Sequence, residues 1–208
     1  LRKLFYFAFK YLFLLFFKVY CRMELHHADK VPAKGGVVVA SNHASYLDPL
    51  ILGAAIRRQA TFMARDDLFA IPLVGTFVKA FSFPIKRGSP LPSTIKEAAQ
   101  RLRKGEVIAL FPEGGRSADG GLLDAKRGVG LIAAMGCSVV VPVYIDGSHK
   151  ALPMGAKHIK PAKLRVFFGD PIKRATGESD RDFQKKVTGY IMNAIGRCKE
   201  LLGGCECW

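Results

Sequence analysis

Four short segments of this chain are apolar throughout and rich in β-branched residues: Val37-Val38-Val39, the run between Glu106 and Phe111, Val139 to Ile145, and Leu164 to Phe168. A strand with one wet face alternates apolar and polar residues. A strand that is apolar on both sides has to be covered on both faces. Helical stretches alternate with these runs, at 45–58, 93–104, 126–136 and 180–202. The third and fourth runs follow directly on one another. Pro90 and Pro92 precede the segment Ser93 to Lys104, which Gly105 ends, and Gly203-Gly204 is the expected stop of the last helix. The alternation predicts an α/β fold, a central sheet of mostly parallel or mixed strands flanked by helices. With 208 residues, half of them hydrophobic, the chain is long enough for one substantial core and short for two. One domain is expected over residues 24–208, preceded by an appendage at 1–23.

That appendage is the second constraint. Leu1 to Cys21 carries Phe5, Phe7, Phe9, Phe13, Phe16 and Phe17, broken only by Arg2, Lys3, Lys10 and Lys18. A secretory signal would place its charges before an unbroken apolar run and a small-residue cleavage site after it, and neither is present. The segment reads as a membrane-associated helix. At about 100° per residue, Lys3, Lys10 and Lys18 fall on one stripe, which suits lipid headgroups. The length is marginal for a span and Lys10 would sit near its middle, so a helix lying in the interface is expected rather than one crossing the bilayer. The five cysteines are odd in number and form neither a zinc-ligand pattern nor a disulfide framework. This usage fits a reducing environment, hence the cytosolic face of a membrane. The Cys205-Glu206-Cys207 tail lacks the further ligand pair a metal site needs.

The formal charge is +15, from 32 Lys and Arg against 17 Asp and Glu. Such a balance implies an anionic partner: a nucleic acid, a membrane surface or a phosphorylated substrate. The basic residues are dispersed and not interleaved with aromatics on one module, which argues against nucleic acid.

Two peptides carry chemistry. Asn42-His43-Ala44-Ser45-Tyr46-Leu47-Asp48-Pro49 follows the first apolar run, where a strand hands over to a helix. Within one helix His43 and Asp48 would lie about 140° apart, so His43 must precede the helix. Asp48 then occupies the N-cap, with Pro49 at the first helical position, or the third position of a Ser45-x-x-Asp48 capping box. In both cases its carboxylate can turn back to the imidazole. A His-Asp pair with no Ser or Cys nucleophile points to general-base catalysis on a substrate hydroxyl. The second peptide, Phe111-Pro112-Glu113-Gly114-Gly115-Arg116-Ser117, again follows an apolar run. Its glycines let backbone approach an anion and Arg116 can fork onto phosphate oxygens, while Glu113 is placed to hold a hydroxyl or orient Arg116. Arg65 and the Pro84-Ile85-Lys86-Arg87-Gly88 segment present basic side chains at expected strand ends.

In this order and spacing, with Val140-Val141-Pro142-Val143 as a fourth block, these segments resemble the glycerophospholipid acyltransferase family, best known for 1-acyl-sn-glycerol-3-phosphate acyltransferases. The resemblance covers roughly residues 24–170. It implies a fatty acyl transfer from acyl-CoA or acyl-ACP (acyl carrier protein) to the sn-2 hydroxyl of lysophosphatidic acid in phospholipid biosynthesis. His43 would be the base and Asp48 its orienting partner. Arg65, Arg87, Glu113, Gly114, Gly115 and Arg116 would bind substrate, with no resident cofactor or metal. The implied partners are anionic membrane lipid, the lysophospholipid acceptor and the acyl donor. Acceptors such as glycerol 3-phosphate, or a noncatalytic anionic-lipid-binding module on the same fold, are the alternative readings. The chain departs from the family pattern at Gly115, where Thr is usual, and at Asp66, where a basic residue is common. Arg65 stands where the family commonly has Lys.

Overall fold

Successive residues of a strand face opposite sides of its sheet, so strands apolar at every position need a cover on each side. The computed structural model, which describes residues 2–65, 81–85, 92–126, 128–136 and 139–204, supplies both. Helix α1 (Arg2–Tyr20) leads to β1 (Glu24–His26), β2 (Val37–Ser41), α2 (Asp48–Ala55), β3 (Ala60–Arg65) and β4 (Ser82–Ile85). Then come α3 (Pro92–Arg103), β5 (Val107–Leu110), α4 (Gly128–Gly136), β6 (Val139–Asp146), the single turn α5 (Ser148–Ala151), β7 (Arg165–Phe168) and α6 (Asp180–Gly204). The seven strands form one sheet in the order β1-β7-β6-β2-β5-β3-β4, parallel at every pairing except β6 with β7.

All five residues of β2 are buried. Val37 and Val39 enter one core with Phe17 of α1 and Ile51 and Leu52 of α2. Val38 and Ala40 enter the other, with Leu102 of α3, Ile132 of α4, and Phe183, Val187 and Ile191 of α6. At about 1.5–3 kcal/mol for each fully buried large aliphatic or Phe side chain, these two layers are the main stabilising term. The α4–α6 contact is close enough to require Gly130, where a Cβ would lie 2.3 Å from Thr188 Oγ1 and 2.4 Å from the Gln184 carbonyl.

Three expectations change. The helix anticipated from residue 45 begins at Asp48 because Ser45 to Leu47 form a turn. The last helix continues through Gly203 and Gly204, where glycine weakens a helix without forbidding it. The third change is in α1, where Lys10 does not join a stripe at the headgroups. It is buried at 7% exposure and donates to the Ile56 carbonyl and, at 2.9 Å, to the Arg57 carbonyl. Those carbonyls follow the last turn of α2, where a helix leaves unsatisfied acceptors and the negative end of its dipole. Burial pushes the Lys10 ammonium down to about 8. On the same face the Tyr6 hydroxyl accepts the Ala60 N–H at 3.0 Å, and Phe17 is fully buried. The outward face of α1 is therefore apolar: Leu4, Phe5, Leu12, Leu15, Phe16 and Val19 are exposed. No described helix is long and apolar enough to cross a membrane.

Candidate active site

Because β6, β2, β5, β3 and β4 run parallel, their carboxyl ends, at Asp146, Ser41, Leu110, Arg65 and Ile85, lie along one edge. In open α/β sheets that edge is where loops from neighbouring strands converge on a ligand. The peptides after β2 and β5 meet there.

Past Ser41, side-chain bonds replace the ladder. The Asn42 amide donates to the Ile145 carbonyl at 3.0 Å and accepts the Ile145 N–H at 2.7 Å, which ties the strand end to β6. His43 then leaves the sheet. Its Nδ1 lies 2.8 Å from Asp48 Oδ2, and the same oxygen accepts the backbone N–H groups of Ala44 and Ser45, each at 2.7 Å. Asp48 is the first residue of α2 with Leu47 at the N-cap, so it holds neither expected position, but its carboxylate makes the back-bond of a capping box, to the Ser45 N–H. The reciprocal half is absent, since Ser45 Oγ accepts from Leu47 N–H at 3.2 Å and donates to the Leu152 carbonyl at 2.9 Å. A fully buried carboxylate holding three donors at a helix start can only accept. The His43 proton therefore resides on Nδ1, and Nε2 presents its lone pair. The imidazole stacks on Phe111, with ring centroids 4.0 Å apart and planes 15° from parallel.

After β5 the chain turns at Phe111, whose carbonyl accepts the Gly114 N–H at 3.1 Å. Gly114 has φ +64°, a left-handed conformation that glycine adopts without steric cost. Glu113 is buried, and its Oε1 accepts the His43 N–H at 3.3 Å. The Ser117 N–H donates to the His43 carbonyl at 2.8 Å, so both backbone groups of His43 are held by the second turn. Burial, reinforced by the Asp48 charge and opposed by the N–H groups of His43 and Leu123, pushes Glu113 up to about 7. Arg116 lays its guanidinium over the Tyr46 ring, 3.5 Å from the centroid. Among the described residues of the two turns, Asp48 Oδ1, Glu113 Oε2 and Arg116 Nη1 are buried with no hydrogen-bond partner.

The structure thus brings His43, Asp48, Glu113, Gly114, Gly115 and Arg116 into one place. Gly115 is exposed, and a Cβ there meets nothing within 4 Å, so its departure from the family Thr removes a hydroxyl without changing the space. Arg65 ends β3 on the same sheet edge. Arg87, with Asp66, Lys86, Gly88 and the Cys205 to Cys207 tail, lies outside the described residues. Asn42, Tyr46 and Phe111 have positioning contacts that residue types alone did not reveal, although all three stand inside the two peptides. The serine hydroxyls of these turns are engaged elsewhere, Ser45 with Leu152 and Ser117 with Asp119 Oδ1 at 2.7 Å. The lone pair on His43 Nε2 points away from the Asp48 bond, an arrangement suited to taking a proton from a hydroxyl.

The acyltransferase family model matches residues 22–146. A 1-acyl-sn-glycerol-3-phosphate acyltransferase of Bacillus subtilis is 32% identical over 155 residues, covering 74% of this chain and 75% of the relative. A chloroplast enzyme of the same description from Arabidopsis thaliana is 33% identical over 139 residues, 65% of this chain but 39% of the longer plant protein. The crystal structure of the 1-acyl-sn-glycerophosphate (LPA) acyltransferase PlsC from Thermotoga maritima superposes with a TM-score of 0.79 at 22% identity. It covers 95% of this chain and 81% of that one, a likeness of fold.

Proposed function

The chain belongs to the acyltransferase family, and from that membership we propose that it transfers a fatty acyl group from acyl-CoA or acyl carrier protein to the sn-2 hydroxyl of lysophosphatidic acid. The observation that carries the proposal is the 2.8 Å bond from His43 Nδ1 to a buried Asp48, with the Ser45 and Ser117 hydroxyls of the two turns bonded elsewhere. His43 Nε2 takes the proton of the acceptor hydroxyl as its oxygen attacks the thioester carbonyl carbon. Asp48 holds the ring and steadies the imidazolium. Collapse of the tetrahedral intermediate breaks the carbon–sulfur bond, and the departing thiolate takes the proton from the imidazolium. Arg116 and the Gly114-Gly115 backbone bind the acceptor phosphate, assisted by Arg65 and Arg87, and Glu113 positions the substrate. In the turn after β5 the unpartnered buried atoms Glu113 Oε2 and Arg116 Nη1 support that assignment, because a buried polar group without a partner costs about 1–3 kcal/mol until something meets it.

A helix with one packed face and one exposed apolar face also supports peripheral attachment through α1 at the cytosolic interface, beside a lysolipid that stays in the membrane. The test is an assay of purified protein with labelled acyl donors against lysophosphatidic acid, glycerol 3-phosphate and neutral lysolipids. Phosphatidic acid should form fastest. Faster acylation of glycerol 3-phosphate would reassign the acceptor, and no transfer to any acceptor would overturn the reading.

A further inference from the structure

Between α5 and β7, residues 148–163 read SHKALPMGAKHIKPAK and contain no acidic residue. Lys163 is paired with Glu24 at 2.8 Å. Lys150, Lys157 and Lys160 are exposed, and among the described residues none has an ion-pair partner. This segment is held in place by its backbone. The Lys160 N–H donates to the Ala151 carbonyl at 2.7 Å, and Leu152, Ile159 and Ala162 pack on the core that contains Phe17.

Its two other attachments place it. The Tyr20 hydroxyl, at the end of α1, donates to the Ile159 carbonyl at 3.1 Å, and the Leu164 N–H donates to the Cys21 carbonyl at 3.1 Å. At its other end the Leu152 carbonyl accepts from Ser45 of the His43–Asp48 turn. The segment therefore joins the end of the apolar helix face to the candidate active site. With Lys10 turned inward, α1 keeps exposed charge at Lys18 among the residues whose side chains are described, so the helix alone offers an apolar contact with little electrostatic attraction. Stable attachment to a bilayer through a modest apolar face needs a second signal, and a lysine cluster beside it supplies one on an anionic leaflet.

We propose that Lys150, Lys157 and Lys160 form a headgroup-docking surface for anionic phospholipids, continuous with the exposed face of α1, which seats the active site on the membrane. The proposal rests on the interfacial reading of α1. The continuity through Tyr20 and Ile159 favours a lipid surface over an acidic carrier protein as the occupant. Each lysine near an anionic leaflet contributes a few-fold in affinity, so three together are expected to contribute about a hundredfold.

The test is flotation of the full chain with phosphatidylcholine vesicles made with and without phosphatidylglycerol, at low and high salt. Three proteins are compared: the parent, Lys150→Gln/Lys157→Gln/Lys160→Gln, and Leu12→Asp/Leu15→Asp/Val19→Asp. All altered side chains are exposed, and circular dichroism verifies folding. The lysine variant should lose about a hundredfold of its partition onto anionic vesicles, matching the parent at high salt, with phosphatidylcholine binding unchanged. If it binds anionic vesicles as the parent does, the docking surface is wrong, and detachment of the aspartate variant would still uphold α1. If the aspartate variant stays bound to both vesicles, the interfacial reading of α1 fails. A lysine variant with normal vesicle binding but a raised KM for acyl carrier protein, not acyl-CoA, would overturn the proposal in favour of a carrier-protein site.

Discussion

The two turns at the carboxyl edge of the sheet differ in how firmly their polar groups are held. The turn after β2 is held by its own side chains: three donors converge on Asp48 Oδ2, Ser45 Oγ both donates and accepts, and Asn42 is clamped on Ile145, while among the described residues Asp48 Oδ1 is its one buried atom without a partner. The turn after β5 has a positive-φ glycine, a buried carboxyl held near neutrality and, among the described residues, two buried polar atoms with no partner. A reacting base gains from rigidity, because its lone pair must already point at the hydroxyl. A binding turn gains from groups still to be satisfied, because a substrate that satisfies them is favoured over one that leaves them bare. On the proposed function the first turn does the chemistry and the second the recognition.

The largest test of that division is His43→Ala. Turnover should fall at least about a hundredfold, the lower range for a positioned base, with the thermal unfolding curve little changed. Asp48→Asn should cost less, since the imidazole remains. If His43→Ala stays within a few-fold of the parent, the rigid turn is not the chemical one.

Next is Arg116→Ala. A charge-assisted contact of about 1.5–3 kcal/mol predicts a rise of roughly 10- to 100-fold in the acceptor KM, and little change in the donor KM. Arg116→Lys should restore part of it, because an ammonium cannot reproduce the guanidinium fork. Equal rises for both substrates would show that Arg116 supports the whole site instead.

Glu113→Gln sharpens the comparison through pH. A carboxyl raised from 4.5 to about 7 binds a proton more tightly folded than unfolded. Its favourable contribution is complete below the unfolded pKa and is lost as pH rises through about 7, a decline on the order of 3 kcal/mol. Chemical denaturation across that window should show the decline in the parent and a flatter profile in the variant. If Glu113 positions the substrate as a carboxylate, acceptor affinity should rise across the same window in the parent alone.

The smallest effect is expected for Gly114→Ala. A Cβ at φ +64° is strained by roughly 1–2 kcal/mol and would press on the flexible end of Lys126, which can move aside. The melting temperature should drop by a few degrees with the acceptor KM raised modestly. An equivalent substitution at Gly115, which faces open space, should leave stability unchanged.

Deleting residues 1–21 would be a poor probe of membrane attachment, because Phe17 and Cys21 are buried in the core under β2. Substituting the exposed face of α1 separates attachment from folding. Here the sequence reading and the structure diverge. A 100° projection puts the α1 lysines on one stripe, yet Lys10 is buried while Lys18 is exposed, because which side of a helix faces lipid depends on what the other side meets. Lys10 meets the end of α2, where the Ile56 and Arg57 carbonyls accept its protons at 46 and 47 residues' remove in sequence, a partner no local pattern encodes.

What the sequence determined by itself is local in origin. Unbroken β-branched runs required a doubly covered sheet, the five-residue spacing placed His43 ahead of the helix that Asp48 opens, and Phe-Pro-Glu-Gly-Gly-Arg required a turn after a strand. Propensity, periodicity and short-range hydrogen bonding suffice for such conclusions. Only the tertiary structure decided that the β2 and β5 turns share an edge, that Glu113 and Ser117 grip the two backbone groups of His43, that Phe111 lies under the imidazole and that Tyr46 lies against Arg116. Strand order and register fix those contacts between residues about seventy apart, and they arise from how two faces of one sheet are filled, a property of the whole core rather than of any segment.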